Sequence, residues 1–250
     1  MAELRNVQYQ TGAGARTHDA SIDEGLRTYM MRVYNYMALG IAMTTVVTLG
    51  VAQIPGVLSA LSSLSIVFFI GIIAFSWFGP RMVLNAKSET MAHAAYWAYA
   101  VLWGLAIAPM VVAYLNVAPG LVAQAFAITA ALFGSMSLLG YTTKRNLTGI
   151  GQFAVMAMIG LIIAMVVTVV MSLFGAAISP WVSFGFSAIY VVLISAITAW
   201  ETQEIKQMYV ASDGQAVETR KSIFGAFLLY GSFISMFIHI LNLLGFMNQD

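Results

Sequence analysis

The strongest chemical signal in this chain is a carboxylate at the end of an apolar run. Trp200-Glu201-Thr202-Gln203-Glu204 closes a stretch, residues 146–200, without a single Asp, Glu, Lys or Arg. Ionisable groups in or beside a membrane span are costly and mark ion pathways, proton relays or interfacial caps. Glu201 therefore has two readings. It is a solvated carboxylate at the membrane boundary, or it is a gate or ion ligand on a cytoplasmic-side pathway. Further on, Ser232, Ser235, His239 and Asn242 are spaced by three, four and three residues. At about 100° per residue they share one helix face, which then fronts protein or water rather than lipid. Serines in a span bond to neighbouring helices or line a polar path. His239 is either a pH-sensing group or a neutral, hydrogen-bonded core histidine. His93 reads as interfacial.

Other chemistries find little material. Gly185-Phe186-Ser187-Ala188 echoes a serine-nucleophile motif, and counting helical rise places Ser187 and His239 at similar depth. Nothing supplies an oxyanion loop, so hydrolysis is not the expectation. Zero cysteines exclude disulfides and thiolate sites, and three histidines cannot furnish much of a metal centre. The last apolar tract has no lysine for a retinal Schiff base. The chain reads as a non-enzyme without a cofactor.

The elements that must position these groups follow from composition. Of 250 residues, 60% are hydrophobic and 8% charged, too few charges to clothe a soluble surface. The lipid bilayer is the solvent, and a net charge of +1 gives no basis for nucleic-acid binding. Four uncharged tracts, 33–80, 90–143, 146–200 and 222–249, are 48, 54, 55 and 28 residues long. A span takes about 20 residues, so the first three hold two spans each and the last holds one. Pro55-Gly56, Asn116 with Pro119-Gly120, and Gly175 to Pro180 punctuate the long tracts. The expected spans are 33–54, 60–80, 91–114, 120–141, 151–174, 180–201 and 223–246. They form an all-α integral membrane domain over 33–246, between a tail at 1–32 and a short end at 247–250. No alternation of the β-barrel kind is present.

All eleven basic residues fall in the N-terminal tail or in alternate connections: Arg5, Arg16, Arg27, Arg32, Arg81, Lys87, Lys144, Arg145, Lys206, Arg220 and Lys221. The positive-inside rule puts the N-terminus in the cytoplasm and the C-terminus outside. The polar first 30 residues are no signal peptide. Ser21 and Glu24 read as a capping box opening an amphipathic lead into the first span. The sequon Asn146-Leu147-Thr148 sits beside two basic residues on the inner side and reads as chance. On the fourth span Ala127, Ala131, Ala130 and Gly134 are small residues suited to close helix packing. The sixteen methionines read as fillers of irregular gaps.

Several segments together resemble one family. Asp23-Glu24-Gly25-Leu26-Arg27-Thr28-Tyr29-Met30-Met31-Arg32-Val33-Tyr34-Asn35-Tyr36-Met37 resembles the entry to the first helix in bacterial members of the Bax inhibitor-1 (transmembrane Bax inhibitor motif) family. Tyr96-Trp97-Ala98-Tyr99-Ala100 resembles its third helix, and Gly140-Tyr141-Thr142-Thr143-Lys144-Arg145-Asn146-Leu147-Thr148-Gly149 its loop between the fourth and fifth. Trp200-Glu201-Thr202-Gln203-Glu204-Ile205-Lys206 looks like its exit from the sixth helix. The resemblance implies a bacterial inner-membrane protein of seven helices, the seventh central. It implies a pH-sensitive calcium leak in which two aspartates on the sixth and seventh helices share a proton while a second-helix arginine latches one of them. Two carboxyls in one site do not ionise together easily, which makes the pair a switch. A membrane-anchored AAA protease is the partner it suggests.

The sequence departs from that pattern at the switch. Glu201 aligns with one aspartate, but Leu229-Tyr230-Gly231-Ser232-Phe233-Ile234-Ser235 puts Ser232 where the second should stand. Asn146 replaces a common aspartate, and Arg81 is the match to the latch. The expectation is that Glu201 stays ionised, paired to Arg81, with proton gating weakened. Counting rise along the helices places Ser232 about two turns deeper than Glu201. The leading expectation is a cation leak lined by Glu201, Arg81, Ser232, Ser235, His239 and Asn242. The alternative is a non-conducting partner of the quality-control protease.

Overall fold

The computed structural model describes residues 2–248, with side chains from Glu24 onward. In hydrocarbon every backbone N–H and C=O must be satisfied within the chain, so uncharged tracts become helices. The helices are α1 (Ala2–Ala52), α2 (Val57–Ser63), α3 (Ser65–Leu84), α4 (Glu89–Val117), α5 (Pro119–Thr142), α6 (Thr148–Leu173), α7 (Pro180–Gln207) and α8 (Gln215–Met247). Among the described residues, seven segments are long and apolar enough to cross a membrane, α2 being the exception. Each overlaps one of the seven expected spans, with α1, α7 and α8 running past the expected limits. The chain is already helical at Ser21, where the capping box would start a helix, and the Ser21 side chain lies outside the described residues.

The turn residues act as their chemistry dictates. Gly56 and Gly175 take φ of 77° and 85°, the left-handed region that a side chain disfavours. Pro119 and Pro180 open α5 and α7 where their missing N–H costs nothing. The second span is interrupted: Ser62 and Ser63 donate to the carbonyls of Leu58 and Ser59, and the helix breaks at Leu64. Serine hydroxyls that bond back four residues bend helices.

α8 is the axis of the bundle. Some 72% of its most apolar window is buried within the protein, against 11–39% for the other six spans. It packs against α1, α3, α4, α5 and α7, while α6 packs on α7 at the periphery. Aromatic rings lock α8 in place. Tyr99 stacks on Phe227 at 4.2 Å, and the Tyr230 hydroxyl meets the Thr44 hydroxyl at 2.5 Å.

Links among the basic connections tie one end of the bundle together. Arg32 pairs with Glu218 at 3.4 Å, the Arg220 guanidinium donates to Ala86 O at 2.8 Å, and Lys206 Nζ donates to Tyr141 O at 2.8 Å. This basic end is where α7 delivers Glu201. The small-residue stripe on α5 does not pack as expected. Ala127, Ala130, Ala131 and Gly134 are all exposed on the membrane-facing side. Close approach on α5 occurs at Gly140 instead, where an added Cβ would lie 2.1 Å from the carbonyl oxygen of Ala199.

Candidate functional site

Glu201 lies in the last two turns of α7, a helix that runs on to Gln207. Ser232 lies midway along α8. The two meet: Ser232 Oγ donates to Glu201 Oε2 at 2.7 Å. Counting rise had left them two turns apart. Side chains on a helix lean toward its N-terminus, which for α7 is the membrane interior, and a glutamate is long. The carboxylate thus reaches down to the serine.

Around this contact is a chamber of about 170 Å³. Its oxygen-bearing walls are Ser76 of α3, Tyr99 of α4, Tyr190 and Glu201 of α7, and Ser232 and Ser235 of α8. The Ser76 and Tyr99 hydroxyls bond to each other at 2.8 Å. Gly231 shapes the space, since a Cβ there would sit 3.0 Å from the Tyr99 hydroxyl. Gly231 and Ser232 thus stand side by side in the same wall.

The rest of the Trp200–Lys206 motif serves structure. Gln203 accepts from Leu147 N at 2.8 Å and donates to Arg145 O at 2.8 Å, clamping the α5–α6 connection. Thr202 bonds to Ser137 of α5 at 3.0 Å, and the Trp200 indole donates to Glu204 at 3.2 Å. Glu201 alone of this run faces the chamber.

The other expected site residues disperse. Ser235 lines the chamber. His239 does not reach it: its Nδ1 is 3.1 Å from Ser187 Oγ, and its ring stacks on Tyr190 at 3.8 Å. Asn242 lines a second cavity of about 170 Å³ toward the opposite end, with Tyr114, Ser183 and Phe246. The face Ser232–Asn242 is thus three stations: a chamber, a packed cluster of His239, Tyr190 and Ser187, and an outer pocket. Arg81 sits exposed in the last turn of α3, and the expected Arg81–Glu201 ion pair is absent among the described residues. From α3 it is Ser76, five residues earlier, that enters the site.

Sequence reasoning missed Ser76, Tyr99 and Tyr190. A tyrosine hydroxyl deep in a span needs a partner, and that was the available signal. Ser187 was weighed as a nucleophile, and its hydroxyl is here engaged with His239, both buried at 2% and 9% exposure. Among the described residues no three His, Cys, Asp or Glu side chains gather as a metal cage. The chamber offers one carboxylate and neutral hydroxyls. Such hard oxygen donors can receive a partly hydrated cation without holding it as a full carboxylate cage would.

Comparison with known proteins matches residues 26–249 to the family described as Inhibitor of apoptosis-promoting Bax1. An uncharacterized protein of Rickettsia prowazekii is 35% identical over 245 residues, covering 96% of this chain and 98% of its own. One from Deinococcus radiodurans is 33% identical over 229 residues, 92% of this chain and 94% of its own. The inner membrane protein YbhL of Escherichia coli is 32% identical over 232 residues, 88% of this chain and 92% of its own.

Proposed function

The chain belongs to the Bax inhibitor-1 family, and from that premise we propose that it is an inner-membrane cation leak, calcium being the ion, which runs along the seam of α7 and α8. The observation that carries the reading is the Glu201 carboxylate, held by Ser232 in a hydroxyl-lined chamber beside the central helix. Glu201 supplies the attraction for a cation. The hydroxyls of Ser76, Tyr99, Tyr190 and Ser235 replace part of its water. A site with a single charge binds weakly enough to release, as conduction requires. The tail and the basic connections face the cytoplasm.

In this reading the packed His239, Tyr190 and Ser187 cluster is the closed section between the chamber and the outer pocket, and Ser187 has a gating rather than an enzymatic part. A lone carboxylate with a neutral partner titrates as one site. Protonation removes the attracting charge, so flux falls as pH falls along a one-proton profile, with no second carboxyl to share the proton and split the titration into two steps. Gating by protons is thus weakened.

The test is calcium uptake into liposomes holding purified protein, at pH 6, 7 and 8, with Glu201→Gln alongside. Flux above empty liposomes that Glu201→Gln lowers supports the leak. Absence of flux at every pH overturns it in favour of a non-conducting partner of a membrane-anchored AAA protease. Co-purification of such a protease, lost when residues 1–25 are removed, would establish that alternative.

A further inference from the structure

α1 and α5 both pack on α8, yet they are bridged at a single described hydrogen bond, Tyr34 OH to Ser137 Oγ at 2.6 Å. At the basic end, the seam between them widens into a cleft of about 530 Å³. Met30, Met31 and Tyr34 wall one side, and Phe133, Gly134 and Leu138 the other. The cleft faces sideways into the bilayer, since Met31 and Leu138 are 48% and 62% exposed. Gly134 leaves its floor open: an added Cβ would meet nothing within 4 Å.

The chemistry of the walls selects the occupant. Tyr34 and Ser137 spend their hydroxyls on each other, and Ser137 also meets Thr202, so the depth of the cleft offers no free polar partner and asks for hydrocarbon. Its rim is cationic. Arg27 lines the mouth and forms no ion pair among the described residues, and Lys206 Nζ sits 4.9 Å above the ring of Tyr141, another rim residue. A guanidinium at the membrane boundary matches a phosphate with its planar pair of donors.

We infer that this cleft is a binding site for an anionic phospholipid of the leaflet at the basic end, its phosphate on Arg27 and one acyl chain laid between α1 and α5 against Phe133 and Gly134. The site is separate from the Glu201 chamber and does not depend on conduction.

Native mass spectrometry of the full chain, released from detergent with added phosphatidylglycerol or phosphatidylcholine of identical chains, tests it. Retention of phosphatidylglycerol over phosphatidylcholine is expected, and Arg27→Gln should cut that preference by about fivefold, the effect of one basic side chain at an anionic surface. Gly134→Leu, whose Cβ meets nothing within 4 Å, adds bulk to the cleft wall and should weaken retention of both lipids. Circular dichroism verifies that this variant keeps its helices, and Arg27→Gln, at an exposed position, gives an independent reading. Equal retention by the wild type and both variants would overturn the proposal. So would displacement of the lipid by inorganic phosphate alone, or a dimer that Gly134→Leu splits, which would make the seam a protein interface.

Discussion

Ser232→Ala separates the two duties that the structure assigns to the Glu201 contact. The bond removed is 2.7 Å long and ends on a carboxylate. Hydrogen bonds to charged groups contribute about 1.5–3 kcal/mol. The chamber of about 170 Å³ has room for water beside Glu201, and water takes over part of the lost bond. The cost therefore belongs at the low end, about 1.5 kcal/mol, or a fall of roughly 3–6 °C in thermal midpoint for a chain of this size. The charge of Glu201 survives, so calcium flux should stay within about twofold of wild type, since the charge and not the serine sets the attraction. Glu201→Gln does the reverse. Its amide oxygen still accepts from Ser232, so stability is nearly kept, while a divalent ion about 4 Å away loses about 2 kcal/mol of attraction even in water, roughly 30-fold in occupancy. The assay is thermal unfolding in detergent beside calcium uptake in liposomes for both variants. If Ser232→Ala abolishes flux at unchanged stability, or Glu201→Gln leaves flux intact, the division of labour argued here is wrong.

Arg81→Gln should leave calcium flux unchanged and stability within about 0.5 kcal/mol, since surface changes away from special features cost little. A large rise in uptake would reinstate Arg81 as a latch. Tyr190→Ala removes the ring stacked on His239 and opens the closed section between the two cavities, so uptake should rise several-fold while Glu201 remains required. The double variant with Glu201→Gln checks this. Gly140→Ala drives a methyl into the carbonyl of Ala199, a backbone atom that cannot yield by changing rotamer. α5 and α7 must separate, at a cost of about 1–3 kcal/mol, and the loss should appear in the unfolding midpoint.

The seven spans were legible in the chain, although α1, α7 and α8 run about six to nine residues past the expected limits. Hydrocarbon forces each crossing to satisfy its own backbone, so a local property, an uncharged run of sufficient length, determines the element. Glu201 was legible for the same reason: a carboxylate beside such a run is too costly to be incidental. The small residues of α5 show where that logic stops. Composition made Ala127, Ala130, Ala131 and Gly134 a packing face, yet they meet the membrane, while Gly140 makes the close approach. Which face a span turns inward depends on its neighbours, and in lipid both faces can be equally apolar.

Contacts across helices belonged to the tertiary structure alone. The even spacing of Ser232, Ser235, His239 and Asn242 was visible in the chain, but not that α7 answers them with Glu201 in one chamber, with Ser187 and Tyr190 in a packed cluster, and with Ser183 in an outer pocket. A helical count of depth ignored the lean and length of the glutamate side chain, and so placed Ser232 out of its reach. It equally gave no sign that Ser76, rather than Arg81, is the α3 residue beside the carboxylate. Spans are set by the exchange between chain and bilayer, residue by residue, whereas the site is set by where side chains from four helices converge.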